Sequence, residues 1–362
     1  MVFPVLYNEI VERIKAINPV AYAETRNYTN GKVSMLSPYI SRGVISTSYV
    51  YNVIRQNYTA KECEAFLKEL LWREYFQRLL QHNKNSDREA FYPDTNTKKG
   101  IPNAILKAAT GIAAIDVAIN NLYQSGYMHN HIRMYTSSLC HMAGYNFHSP
   151  AQWMYYQLLD GDVASNYSSW QWVYGLLTAK KYIANQENIN RFCGTEQQNT
   201  FLDKTYEELE GISTITEFEE NSIIQFYTIL PEKKEVNFNE KPIAIYNSYN
   251  LDPIWHKDED INRVLLLEPS HFSIYPVSEK VMEFILQLAG NINGLQVFTG
   301  EYEELKQQFP NHKFIAKEHP LFSYPGAETE CREWLAPKID SQYTSYSKYF
   351  KSVKNNYDEY FR

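Results

Sequence analysis

Apolar side chains in the first two hundred residues recur at helical spacing. In AKECEAFLKELLWREYFQRLLQ (60–81), Phe66, Leu70, Trp72, Tyr75, Phe76 and Leu79 stand at mixed intervals of three and four, the signature of a largely buried amphipathic helix. AAIDVAINNLYQSGY (113–127) and the stretch from about 130 to 145 follow the same rule. From about 208 to 240 the texture turns acidic and poorly periodic, as a connector does. Beyond it, short apolar runs alternate with helical ones: IAIY (243–246), RVLLLE (263–268), SEKVMEFILQLAG (278–290), LQVFT (295–299), YEELKQQF (302–309) and KFIA (313–316). That alternation predicts βαβ units and a parallel sheet. The last thirty residues, with Trp334 and tyrosines at 343, 346, 349, 357 and 360, read as a helical tail packed back on the rest. The expected organisation is a helical domain over 1–207, a linker over 208–240, an α/β domain over 241–335 and a helical tail over 336–362.

Length and composition narrow the class. At 362 residues either domain can bury a full apolar core, which excludes a small disulfide scaffold. Hydrophobic content of 44% with 21% charge is ordinary, whereas an aromatic share of 15% says that something in the chain uses rings. Cys63, Cys140, Cys193 and Cys331 stand far apart, fitting neither a zinc site nor a disulfide framework. No run of eighteen apolar residues exists, and MVFPVLYNEIVERIK turns charged too early for a signal peptide. The expectation is a cytoplasmic protein with no membrane partner and no metal. Residues 1–205 carry 20 Lys and Arg against 16 Asp and Glu, and the remainder 15 against 26, so only the first part suits a polyanion.

Four segments hold polar groups that packing alone does not require. Tyr22 is followed by GKVSMLSPYISRG (31–43), whose Ser34 and Ser37 offer hydroxyls to a phosphate or, more plainly, cap a helix. Glu69 and Arg73 are four apart on one helix face, the spacing of a structural salt bridge. Residues 126–134 (GYMHNHIRM) are dense in His, Asn and Arg, but histidines two apart do not share a helix face, which argues against a metal pair. Finally, DGDVASNYSSWQW (160–172) superficially resembles a calcium loop yet lacks its closing bidentate Glu.

Taken in order, LSPYISRGVIS, ELLWREYF, TGIAAIDVAINNLYQSGYMHNHIRM and LLDGDVASNYSSWQW resemble the four signature blocks of the flavin domain of the photolyase/cryptochrome family, over about residues 20–205. The resemblance implies FAD as cofactor. By similarity, Tyr22, Ser34, Leu36 and Ser37 would hold its pyrophosphate, Arg73 and Arg133 would flank the flavin, and Asp160 and Asp162 would contact the adenosine side. Asn166 falls at the position facing flavin N5, where an amide can accept a hydrogen bond from a protonated nitrogen. Glu69, Trp72, Asn130, Met134 and Trp172 match positions that surround a flipped pyrimidine dimer in DNA photolyases, with the two tryptophans as apolar walls. Glu69, Asn130, Asn166 and Trp170 would be the catalytic set. The implied activity is light-driven repair of cyclobutane pyrimidine dimers by electron transfer from photoexcited reduced FAD, on UV-damaged DNA, by a monomer. The alternatives are a cryptochrome-like photoreceptor with a signalling partner, and an FAD-binding redox or binding protein without DNA activity.

Several positions depart from the family pattern. Asn130 and Met134 stand where (6-4) enzymes place histidines, which favours the cyclobutane lesion; His131 replaces a common arginine, predicting weaker or pH-dependent DNA binding. Trp170 occupies the inner position of an electron relay, but Phe147 and Ile105 occupy the middle and outer ones, so another route through Trp153, Tyr155 or Tyr156, or chemical reduction, is expected. Val33 replaces a common Thr. The α/β segment follows the helical one, the reverse of the family order, and is expected to be the antenna module in permuted position. An antenna pigment of folate or deazaflavin type is left open. His271, His312 and His319 are expected to be surface or capping residues.

Overall fold

The computed structural model describes residues 3–212 and 215–361. The chain forms two compact units that interleave along the sequence: one holds residues 1–17, 34–58 and 226–337, the other 18–33, 59–225 and 338–362.

The first unit is built on a five-stranded parallel sheet. Its strands are β3 (Ile243–Tyr246), β4 (Asn262–Leu267), β5 (Leu295–Thr299), β6 (Phe314–Lys317) and β7 (Glu328–Glu330), in the order β5-β4-β3-β6-β7. A short antiparallel pair in the other unit supplies β1 (Ile101–Pro102) and β2 (Asn221–Ser222). The chain therefore starts the large sheet at its centre, runs outward through β5 and returns to build the other side, the doubly wound pattern whose strand order reverses between β3 and β6. Ile243, Ile245, Val264, Leu266, Phe298 and Phe314 pack on one face with Tyr302 and Leu305. Ala244, Tyr246, Leu265 and Leu267 are buried as well, so β3 and β4 read as continuous rather than alternating apolar runs. Val236 joins this core although it lies in the acidic stretch.

The second unit is helical. Its longest element, Ala60–His82, starts with a reciprocal capping box between Thr59 and Glu62. Cys63, Leu67, Leu71 and Glu74 are buried with Phe66 and Leu70, so this helix is enclosed on most sides rather than on one face. The helices Pro19–Thr25, Val163–Val173 and Tyr346–Asn356 all pack on it. Ala113–Ser125 ends at Gly126, whose φ is +69° and whose missing Cβ would stand 2.6 Å from Leu159 Cγ; the Leu159 amide donates to the Gly126 carbonyl at 2.8 Å. That contact fixes the distance from the Ala113–Ser125 helix to the loop of Asp160 and Asp162. Leu209, Ile215 and Phe218 are buried, and Asn221–Ser222 pairs with β1, so the acidic segment is partly built into the helical unit.

Candidate functional site

The Asp160-Gly161-Asp162 turn gathers the charged residues of the helical unit. Asp162 caps the Val163–Val173 helix by accepting the Ser165 amide at 2.7 Å. The same carboxylate accepts from Gln77 at 2.7 and 2.9 Å and from Arg73 at 3.2 Å. Asp160 accepts both of its Arg133 bonds, at 2.9 and 3.1 Å, while Arg133 Nε donates to the Met128 carbonyl at 2.8 Å. Each buried carboxylate thus has a guanidinium, the condition for keeping a charge out of water.

Asn166 lies one turn along that helix. Its Nδ2 donates to the Ala151 carbonyl at 2.9 Å. A carbonyl only accepts, so this bond settles the amide's orientation and leaves Oδ1 as the acceptor it presents elsewhere. Trp170, one further turn on, is buried, and its Nε1 has no hydrogen-bond partner among the described residues. Its ring lies 6.2 Å from that of Tyr174. Phe147, at the middle relay position, lies 6.2 Å from the same Tyr174, and Trp153 Nε1 donates to the Tyr123 hydroxyl at 3.1 Å.

The spacing of Glu69 and Arg73 predicted a salt bridge that does not form. Glu69 pairs instead with Arg26 at 2.6 Å, and Arg73 turns to Asp162. Partners outside the helix win because each offers a better-placed charge than a neighbour one turn away, whose contribution is only a few tenths of a kcal/mol. Burial pushes the Glu69 carboxyl above its ordinary value, with Arg26 pulling against that rise.

From Arg26 a line of contacts runs across the unit. The adjacent Asn27 carbonyl lies 2.7 Å from His131 Nδ1, and the Tyr182 hydroxyl lies 3.3 Å from His131 Nε2. The Tyr182 ring is 6.0 Å from Trp172. Asn130 and Met134 occupy successive turns beside His131, with Asn130 Nδ2 4.0 Å from the Met134 sulfur. Glu69 and Trp172 are therefore joined through Arg26, Asn27, His131 and Tyr182, while Asn130 and Met134 touch each other on the helix that carries His131. Trp72, three residues from Glu69, is half-buried and stacks on Tyr346 of the C-terminal helix. Tyr22 sits edge-on to Phe66 at 5.0 Å, and burial raises its hydroxyl pKa.

Ser34, Leu36 and Ser37 belong to the sheet unit. Leu36 is wholly buried, and the chain passes through the left-handed region at Met35 with φ +55°. The Ser37–Ser41 helix that follows has no side-chain cap, so the reading of these serines as ordinary caps is overturned; Ser34 Oγ instead lies 3.4 Å from the Leu36 amide. His271 and His319 are buried, not surface residues: Tyr249 stacks on His319 at 4.6 Å and Phe322 lies 4.5 Å from His271. Among the described residues no cluster of His, Cys, Asp and Glu can hold a metal, and no helix is long and apolar enough to cross a membrane.

Arg26, Gln77, Tyr182 and Tyr346 were missed by sequence reasoning. Arg26 follows Tyr22 by one helical turn and shares its face, a signal available in the sequence; Gln77 stands one turn beyond Arg73 in the same way.

Residues 66–237 match the FAD binding domain of DNA photolyase. A deoxyribodipyrimidine photo-lyase of Agrobacterium fabrum is 30% identical over 167 residues, covering 42% of this chain and 34% of its own. One from Buchnera aphidicola subsp. Baizongia pistaciae is 29% identical over 188 residues, covering 48% and 39%, and a cryptochrome DASH of Danio rerio is 28% identical over 211, covering 54% and 40%. Among solved structures, a class III photolyase from Agrobacterium tumefaciens superposes on 52% of this chain and 42% of its own at 25% identity, with a TM-score of 0.47. The chain spans between a third and two-fifths of the length of the first two photo-lyases.

Over its helical half the chain is similar to proteins of the photolyase/cryptochrome family. The helical unit that holds most of this match is accompanied by an α/β unit with a parallel sheet. The residues present fit a flavin: a buried indole N–H without a partner and a fixed amide acceptor four residues apart suit a ring system that carries both acceptor and donor nitrogens.

Proposed function

We propose that this protein is a light-driven repair enzyme for cyclobutane pyrimidine dimers in DNA. The observation that carries the reading is the line of contacts from Glu69 through Arg26, Asn27, His131 and Tyr182 to Trp172, which groups residues otherwise scattered over a hundred positions into one rim. When bound, FAD supplies the photoexcited electron. The protein's part is to receive the damaged pair outside the helix stack and to replace its lost stacking with aromatic surface, for which Trp72 and Trp172 are suited. Glu69, whose carboxyl burial pushes above its ordinary pKa against the pull of Arg26, would donate from its protonated form to a pyrimidine carbonyl as negative charge develops there. Arg73 and Arg133, each tied to a carboxylate, would flank the flavin, with Asp160 and Asp162 toward its adenosine side and Tyr22 toward its pyrophosphate. Asn166 would present Oδ1 to a protonated flavin nitrogen.

A photoreceptor role is the second reading, raised by the likeness to a cryptochrome DASH, although the interrupted relay at Phe147 and Ile105 weighs against a sensor that depends on photoreduction. One experiment separates them. Purified protein loaded with FAD is reduced with dithionite, which bypasses the relay, and illuminated with a thymine-dimer oligonucleotide. Repair predicts restored thymines, a loss of roughly 10- to 100-fold in Glu69→Ala and Trp172→Ala, and unchanged flavin absorbance in both. Bound FAD with no restored thymine rejects repair in favour of the sensor or redox reading.

A further inference from the structure

Trp72, which the repair reading makes a wall for the flipped base, is already covered by an aromatic ring. Tyr346, the first residue of the Tyr346–Asn356 helix, stacks on it with ring centroids 3.7 Å apart and planes within 11°. That is base-stacking geometry, closer than the edge-on and tilted contacts Trp72 makes with Tyr75 and Phe76. The Tyr346 hydroxyl donates to the Lys68 carbonyl at 2.8 Å and lies in the electrostatic field of Glu69 and Arg26. One ring thus occupies the indole face and approaches the very carboxylate that the repair reading assigns to a pyrimidine.

The hold on this helix is graded. Tyr349, one turn on, is wholly buried and donates to Glu74 at 2.8 Å; Val353 is also wholly buried, and Arg78 lies 3.7 Å from Asp340. Tyr346 is only half-buried, stands at the N-terminal end of the helix, and the Ser345 cap bond there is long at 3.4 Å. The first turn can open while the rest of the helix stays anchored.

We propose that Tyr346 is a built-in occupant of the base-stacking face of Trp72, which a flipped pyrimidine must displace, so that the C-terminal helix sets the threshold for lesion binding. The inference rests on the repair reading of Trp72. A stacked base contributes about 1–3 kcal/mol, so removing the competitor should tighten binding by at least about five-fold.

The test measures the affinity of full-length, FAD-loaded protein for a fluorescein-labelled oligonucleotide with one cis-syn thymine dimer, and for its undamaged counterpart. Tyr346→Ala should bind the dimer at least about five-fold tighter with undamaged affinity unchanged, and Tyr346→Phe, which keeps the ring, should stay close to wild type. Unchanged or weaker dimer binding by Tyr346→Ala overturns the inference. Trp72→Ala distinguishes the two failures: if it leaves dimer preference intact, the pocket reading itself is wrong; if it abolishes that preference while Tyr346→Ala gains nothing, only the occupant is wrong. Hydrogen exchange on the wild-type protein gives a readout free of any folding defect in the variant. Dimer DNA should speed exchange at the start of the 346–356 helix and spare its later turns, and slower or unaltered exchange there rejects displacement.

Discussion

The helical and sheet units differ in how they treat their buried carboxylates. In the helical unit Asp160 has Arg133, Asp162 has Arg73 and Gln77, and Glu74 has Tyr349 and Arg78. Unpartnered buried polar atoms occur in both units among the described residues, Ser137 Oγ and Trp170 Nε1 in the helical one and Asn250 Oδ1, His271 Nε2 and Ser278 Oγ in the sheet one, so the carboxylates carry the difference. Glu268, just past the end of β4, is raised to about 7, chiefly by burial, with Glu301 adding repulsion. The difference teaches where charge is compensated: guanidinium pairs accompany the buried carboxylates of the helical unit, whereas the sheet, built on continuous apolar strands, keeps one carboxyl raised by burial just past β4.

The comparison breaks most sharply at Asp162. Asp162→Ala removes the helix cap and leaves Arg73 and Gln77 facing a void, so urea denaturation should show a loss of about 3–5 kcal/mol. Asp162→Asn keeps an oxygen for the Ser165 amide and should recover part of it. A loss under about 1 kcal/mol for the alanine variant would show that the pairs do not hold the packing together.

Legibility in the sequence follows the same division. IAIY and LQVFT coincide with β3 and β5, and RVLLLE and KFIA miss β4 and β6 by one residue, because an apolar run between breakers has few ways to be read. β7 was missed: its ETE sequence is a short, mostly exposed edge strand whose pairing depends on β6 rather than on its own composition. In the helical unit the helices were legible but the partners were not. Glu69 and Arg26 are 43 positions apart, and Tyr346 lies 274 beyond Trp72; no local pattern carries such pairings. The tyrosine-rich tail signalled that it packs, not on what.

A smaller effect sharpens the sheet side. Because the folded state holds the Glu268 proton up to about pH 7 while the unfolded chain releases it near the ordinary value of about 4.3, the folded state binds more protons in that window. Stability should therefore fall as pH rises from about 4.5 to 7 and level off above it. Glu268→Gln should remove that slope, gaining about 1–2 kcal/mol at pH 8 after allowance for partial exposure and nothing at low pH. A variant whose pH profile parallels the wild type would show that Glu268 is not the uncompensated carboxyl.

The smallest effect concerns His131 in the helical unit, where compensation is by hydrogen bonds rather than charge. The Asn27 carbonyl only accepts, so in the neutral ring Nδ1 carries the proton and Nε2 accepts from Tyr182. Burial lowers the His131 pKa from 6.5, with Arg26 adding repulsion against the Asn27 bond that raises it. The unfolded chain therefore binds the proton more readily, and the stability this residue contributes is present above pH 6.5 and lost as pH falls through the folded value. Its ring-proton shift followed by NMR should titrate with a midpoint below 6.5, and Tyr182→Phe should cost about 0.5–1 kcal/mol at pH 7.5. A midpoint above 6.5 would mean that His131 carries charge near neutrality, as the arginine common at this place in the family does. A second cation would then stand near Arg26, and compensation of this ring by hydrogen bonds alone would fail.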